Sequence, residues 1–473
     1  MREPTFRDLY EKLFYLIILS LPFTYIPGAS FLGELKQDLA AHILIVCIFI
    51  FIAHTIVSMK LIMIRDLSFK LFIILFIWIF ISFLFNYNTI LDNYFKQRSG
   101  LNRFLSQNIV FILSVFLSSL FFYYIHIKKS IFTIFYTIRK YVLHSFYFVF
   151  IYAFVEYLYG IHHVTALQPI YEFFNLITFR PTDGLFIWAL GRITSVAHEP
   201  PFLAMYLLFA SPWFLSYIFT ENSLKKFIPA ALTLILSFLC GSRAALIIIS
   251  FQYFLYFLLT MKFRSLHPTI LRTIKLGSFF LTIVLVLTGG SVKVKLDKQI
   301  DTFEISKENE HNVSNLTRWG TQAAALKTFL HHPFFGVGFG QQSYYNIKNY
   351  PQWALSSYEI KLYYTNPNDP TWPPGYSLFT RLLAELGIVG FSLFFLANFL
   401  LFLRMYIIMK KIKREYKVVC ITLIVLLAGF NLNALQFDSF RLIGYWLTLA
   451  IFYIFIHKCS TEPNLFFKTD ESK

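Results

Sequence analysis

Three arginines carry the chemistry that this sequence suggests: Arg192 in Gly191-Arg192-Ile193-Thr194-Ser195, Arg243 in Cys240-Gly241-Ser242-Arg243-Ala244, and Arg318 in Thr317-Arg318-Trp319. A guanidinium stays charged and offers a rigid fork of donors, which suits bidentate recognition of a phosphate. Arg243 stands out because it interrupts an apolar run from Phe227 to Met261, and a charge at membrane depth costs roughly 2.5 to 3.5 kcal/mol on insertion scales. Each arginine taken singly is explained equally well by a carboxylate partner or by a headgroup contact. Converging on one site, the three would fit a diphosphate. Departure of a diphosphate needs cationic stabilisation, and an attacking hydroxyl is helped by a general base. Candidate bases are Glu199, in Ala197-His198-Glu199-Pro200-Pro201, and His198 beside it. The structural alternative for Glu199 is a carboxylate favoured by the helix dipole just before Pro200.

These residues need a scaffold, and the composition says what kind. The chain is 57% hydrophobic and 20% aromatic with only 14% charged residues, the profile of a polytopic membrane protein. Its net charge of +17 does not indicate nucleic-acid binding, because the basic residues sit in short clusters between apolar runs, as positive-inside flanks do. Cys47, Cys240, Cys420 and Cys459 have neither metal-ligand nor redox spacing. Leu9 to Tyr25 reads as a retained first span, since no basic region and small-residue cleavage site frame it.

A spanning helix needs about 20 mainly apolar residues. Twelve candidate spans follow: 9–25, 39–59, 69–85, 104–127, 141–159, 201–220, 227–240, 244–261, 272–289, 376–403, 417–434 and 441–457. The run around Arg243 is divided at Gly241-Ser242, because one unbroken helix would reach about 52 Å against a hydrocarbon core of about 30 Å. That division also places more than half of the 42 basic residues on one face, in short segments, so both termini are expected to be cytoplasmic. Residues 1–289 then hold nine spans and an outer loop at 160–200. Residues 290–375 form a second, larger outer loop, and residues 376–473 hold three spans and a cytoplasmic tail. Both outer loops share a face with Arg243, and loops carry function when a rigid scaffold positions them.

Within the larger loop, Leu316, Trp319, Ala323, Leu326 and Leu330 recur at helical spacing. The pattern predicts an amphipathic helix over about 314–331, with Ser314 as N-cap, Arg318 in the first turn and Pro333 as terminator. The glycines of Pro333-Phe334-Phe335-Gly336-Val337-Gly338-Phe339-Gly340 lack the βαβ context of a dinucleotide fingerprint and are expected to make a tight backbone passage. The aromatic stretch from Tyr344 to Tyr376 suits sugar stacking or an interfacial belt. Glu385 is expected to pair with Arg381 four residues earlier. Asp438 is expected to pair with Arg441, and His42, His54, His144 and Glu156 to make interhelical hydrogen bonds.

Twelve spans, Ser242-Arg243-Ala244 at the outer end of a mid-chain span, the Arg318-Trp319 helix leading to the glycine-rich segment, and Leu383-Ala384-Glu385-Leu386-Gly387-Ile388-Val389-Gly390 opening a late span together resemble the bacterial O-antigen ligase and polymerase superfamily. The resemblance covers roughly residues 190 to 400. It implies an all-α GT-C-type architecture in the inner membrane, with the active site facing the periplasm. It also implies metal-independent, inverting glycosyl transfer without a cofactor, from glycans carried on undecaprenyl diphosphate, with arginines holding the leaving group. Lipid-linked oligosaccharides, membrane lipids and a chain-length regulator protein would be its partners. Ligases of the family carry a histidine near the position of Tyr376, and this chain has none between His332 and His457. That departure favours a Wzy-type polymerase over a ligase to lipid A-core. Arg180, separated from Gly191 by ten residues, resembles a short loop motif of some polymerases. A transporter or flippase is the alternative of another class, disfavoured because the charged motifs gather on one face.

Overall fold

A computed structural model describes residues 6–26, 28, 30–59, 63–178, 188, 191–262, 313–365 and 372–467. The protein is an all-α integral membrane protein. Its principal helices are α1 (Phe6–Ser20), α2 (Leu39–Ser58), α3 (Leu67–Phe85), α4 (Gly100–His126), α5 (Ile131–Glu156), α6 (Pro200–Thr220), α7 (Ile228–Leu239), α8 (Arg243–Met261), α9 (Val313–His331), α10 (Leu378–Lys411), α11 (Lys417–Asn433) and α12 (Ile443–Thr461). Among the described residues, nine of the helices are long and apolar enough to cross a membrane. α1, of 15 residues, and α7, of 12, are shorter than that. The expected span at 272–289, and Arg180, lie outside the described residues. One small hairpin pairs Tyr94–Phe95 with Arg98–Ser99.

The apolar run around Arg243 divides at a turn whose chemistry is local. α7 ends at Leu239, Gly241 takes φ 62°, and the Ser242 hydroxyl accepts from Ala245 N–H to cap α8, whose first residue is Arg243. Left-handed backbone costs glycine little, and the hydroxyl satisfies an orphan amide.

Inside the bundle, two interruptions of the helical hydrogen-bond pattern are met by polar side chains from neighbouring helices. Pro212 lies within α6 and has no N–H for the Leu208 carbonyl one turn back. The buried Gln252 of α8 donates to that carbonyl at 3.1 Å and accepts from Ser211 Oγ at 2.7 Å. Gly429 of α11 leaves the space: a Cβ there would lie 2.1 Å from Gln252 Nε2. In hydrocarbon, such a carbonyl would otherwise be left without a partner.

The second break joins two of the sequence motifs. α10 is interrupted at Gly387 (φ 67°, ψ −169°), and the glycine-rich segment lies against the interruption. Val337 N–H donates to Ala384 O at 3.0 Å, Gly338 N–H to Glu385 O at 2.9 Å, and Ile388 N–H to Pro333 O at 2.8 Å. From α3, Trp78 Nε1–H reaches Leu386 O at 2.9 Å and Ser82 Oγ reaches Phe335 O at 2.7 Å. A Cβ on Gly387 would sit 2.1 Å from Phe334 O, and one on Gly336 would sit 2.3 Å from Glu385 O. The alternate glycines thus make a tight passage against a broken helix.

α9 runs as spaced, but its buried face is not the expected one. Thr317, Gly320, Thr321, Ala324, Ala325 and Thr328 are buried, whereas Trp319 is 62% and Leu330 72% exposed. Small and hydroxyl residues let the following segment come close: a Cβ on Gly320 would meet Ala354 Cβ at 2.4 Å, and Thr321 Oγ1 lies 3.1 Å from Tyr350 OH. The helix already includes Val313, so Ser314 is not its N-cap and Arg318 lies in the second turn. Ser314 Oγ instead accepts from Arg318 Nε at 3.4 Å.

Candidate functional site

The three arginines lie within electrostatic reach of one another at one end of the bundle. Arg192 comes from the segment before α6 and lays its side chain across the α7–α8 turn, where Nε donates to Cys240 O at 3.2 Å. A Cβ on Gly241 would lie 2.7 Å from Arg192 Cγ, so glycine at 241 serves both the turn and the passage of this side chain. Arg243 begins α8 and donates from Nη2 to Asn315 Oδ1 of α9 at 2.9 Å. Arg318, one turn further along α9, places its guanidinium 5.2 Å from the centre of the Tyr376 ring, a cation–π distance. Tyr376 itself holds φ 58°, a conformation that a bulky residue adopts only where its surroundings over-determine it. Those surroundings include Gly375 N–H on the Asp438 carboxylate and Leu378 N–H bonded to Ala434 O at 2.8 Å.

Burial lowers the Arg192 guanidinium from its ordinary value, and the charge of Arg318 acts in the same direction while Glu199 opposes it. Among the described residues, no carboxylate lies within ion-pair distance of Arg192 or Arg318. Mutually repelling cations held together in partly buried positions store electrostatic energy that a bound polyanion would release.

Glu199 is the N-cap residue of α6 and makes no side-chain capping bond. Its carboxylate is exposed, 3.7 Å from His198 Nε2, and within electrostatic reach of Arg192. The His198 ring stacks on Tyr25 at 4.6 Å, and its amide donates to Thr24 Oγ1 at 3.0 Å. The site edge thus includes the segment after α1, which sequence spacing gave no reason to place there.

Glu385 is elsewhere. It is buried beside the α10 break, ion-paired with Arg381 at 3.1 Å and accepting from Gln342 N–H at 3.3 Å. Arg381 also donates to Gln107 Oε1 and to Asp438 O, each at 2.6 Å, and lies 4.0 Å from Glu34. Burial alone would raise the Glu34 carboxyl, but Arg381, Arg103, the Ser439 hydroxyl and Arg441 hold it below its ordinary value. Asp438 is raised, by burial first and then by Glu34. Asp438 and Arg441 do not form the expected pair. Arg441 Nη1 donates to Glu34 O at 2.9 Å, and its Nε lies 4.0 Å from Asp38. The reason is topological: the segment after α1 folds over the α11–α12 connection and supplies carboxylates that local sequence could not.

Among the loop aromatics, Trp372 is occupied by Arg103 at 4.5 Å and Arg98 at 5.6 Å, while Trp353 and Tyr358 are exposed. His54 and His144 make the expected interhelical contacts, with Tyr124 and Tyr15. His42 bonds within its own helix to Asp38 O. Glu156 bonds to the segment carrying Arg192. Asn315 and Glu156 are the site residues that sequence reasoning missed. A neutral amide gives no charge signal, and Glu156 looked like any polar group within a span.

Residues 228–395 match the family model described as O-Antigen ligase, a stretch that contains Arg243, Arg318, the glycine-rich segment and the α10 break. Over this part, about a third of the chain, the protein is similar to that family. The family covers glycosyltransferase-like enzymes that act as polymerases or ligases on lipid-linked glycans. No curated protein matches the chain.

Proposed function

We propose that this chain, similar to the O-Antigen ligase family over residues 228–395, joins undecaprenyl-diphosphate-linked repeat units into a surface polysaccharide. The observation that carries the reading is the gathering of Arg192, Arg243 and Arg318 at one end of a membrane bundle. In this reading that end faces the periplasm, the termini lie in the cytoplasm, and a chain-length regulator acts on the assembled enzyme. A sugar hydroxyl of one lipid-linked glycan attacks the anomeric carbon of another and displaces undecaprenyl diphosphate, with inversion. The proton of the attacking hydroxyl passes to Glu199, a carboxylate within electrostatic reach of Arg192. Arg243 and Arg318 take the developing negative charge, Arg192 assists, and no metal ion is required.

A ligase reading, with transfer to lipid A-core, has the description of the matched family in its favour. The polymerase reading is preferred because Tyr376, not histidine, stands at the start of α10. Purified protein with lipid-linked repeat units and EDTA should give laddered products on a gel. A single modified lipid A-core band would replace polymerase by ligase. Movement of substrate across vesicles with no change in the glycan would refute both.

A further inference from the structure

Glu156 ends α5 with none of its surface exposed, at a depth where an ionisable side chain persists when its partners are fixed. Its carboxylate gathers bonds from the segment that carries Arg192. Thr194 N–H donates to Oε2 at 3.1 Å, Ser195 N–H to Oε2 at 2.6 Å, the Thr194 hydroxyl to Oε1 at 3.1 Å, and Trp188 Nε1–H to Oε1 at 3.2 Å. Ser195 is held at φ 52°, and its hydroxyl returns to α5 by donating to Val149 O at 2.7 Å. On the opposite side, Ile193 N–H donates to Leu239 O at 3.3 Å and Arg192 Nε to Cys240 O at 3.2 Å. The segment is therefore gripped between the end of α5 and the turn that presents Arg243.

We propose that Glu156 is a positioning residue for the arginine cluster: an acceptor-only anchor that fixes residues 192–195 so that Arg192 stays aligned with Arg243 and Arg318. The inference rests on the diphosphate reading above. Carboxylate chemistry is specific to the task, because both oxygens accept from donors. In Glu156→Gln, one oxygen becomes an NH2 facing N–H or O–H donors whichever way the amide is turned. Glu156→Asp keeps two acceptors on a shorter arm.

The test uses the full chain in lipid nanodiscs, with undecaprenyl diphosphate as the probe and a thermal melt as the fold control. Glu156→Gln should weaken binding about tenfold, as expected for loss of a buried charged acceptor, and Glu156→Asp should recover part of that. Arg192→Ala should weaken binding at least as much. In the Arg192→Ala background, Glu156→Gln should add less than about twofold, because residues acting through one another are not additive. Thr194→Val, which removes only the hydroxyl donor, covers the case in which Glu156→Gln does not fold. It should lose about two- to threefold, and only when Arg192 is present. Full multiplication of the single losses, or unchanged binding in the Glu156 and Thr194 variants, would overturn the inference while leaving the arginine site intact. Wild-type binding by Arg192→Ala would instead remove Arg192 from the site, and this inference with it.

Discussion

Replacing Arg243 by alanine should separate activity from stability. Arg243 belongs to a cluster of like charges with Arg192 and Arg318, and its Nη2 donates to Asn315 at 2.9 Å. For a bound diphosphate, one positive charge about 5 Å from one negative charge is worth about 3 kcal/mol at an effective dielectric constant of about 20. Removing it should lower kcat/KM by about two orders of magnitude. In the free protein the same change deletes the hydrogen bond to Asn315 among its contacts, costing about 1 kcal/mol, and relieves repulsion from two arginines. The two effects oppose, so the melting temperature should move by only a few degrees. Arg243→Lys restores the charge but not the fork, and should remain about tenfold below wild type. The assay is glycan transfer by purified protein in nanodiscs, with a melt on the same preparation. Near-wild-type transfer by Arg243→Ala would refute the electrostatic reasoning. So would a collapse in melting temperature matching the lost activity, because Arg243 would then be a structural residue.

Three further predictions concern the scaffold. Gly387→Ala forces a Cβ to within 2.1 Å of Phe334 O at φ 67°, and should cost more than about 2 kcal/mol, seen as a lowered melting temperature and poor membrane yield. Gln252→Leu leaves the Leu208 carbonyl opposite Pro212 without its 3.1 Å donor, and should destabilise by about 1 to 3 kcal/mol with catalytic constants unchanged in the folded fraction. Asp38 is raised from 3.8 to about 6 by burial, against the pull of Arg441 and His42. Its folded form binds the proton more tightly than its unfolded form, so the stability it contributes is present below about pH 4 and lost as pH rises through about 6. Melts of Asp38→Asn against wild type should therefore show the variant gaining relative stability from pH 4 to pH 7, and an unchanged difference across that range would contradict the assignment.

Much of the scaffold was legible because its signals are local. Gly241-Ser242 marks a turn by glycine conformation and hydroxyl capping, and Pro333 ends α9 where spacing placed the end. Arg381 and Glu385 pair because they are four residues apart on one helix. What could not be read depends on contacts across the bundle. The large apolar residues of α9 suggested its buried stripe, yet close packing against Ala354 and Tyr350 selected the small Thr317, Gly320 and Thr321 face. Asp438 and Arg441 are near in sequence but are claimed by Gly375 and Glu34 from distant segments. At the site, charge alone flagged the three arginines, whereas Asn315 and Glu156 became visible only through the atoms they hold.

Equilibrium binding of undecaprenyl diphosphate to the full chain in nanodiscs shows whether the arginine cluster holds a lipid diphosphate. Wild type should bind the diphosphate well and undecaprenyl monophosphate distinctly less well. Arg243→Ala combined with Arg318→Ala should weaken diphosphate binding by more than about a hundredfold while the protein stays folded. Equal affinity of wild type and the double variant for undecaprenyl diphosphate would contradict the account.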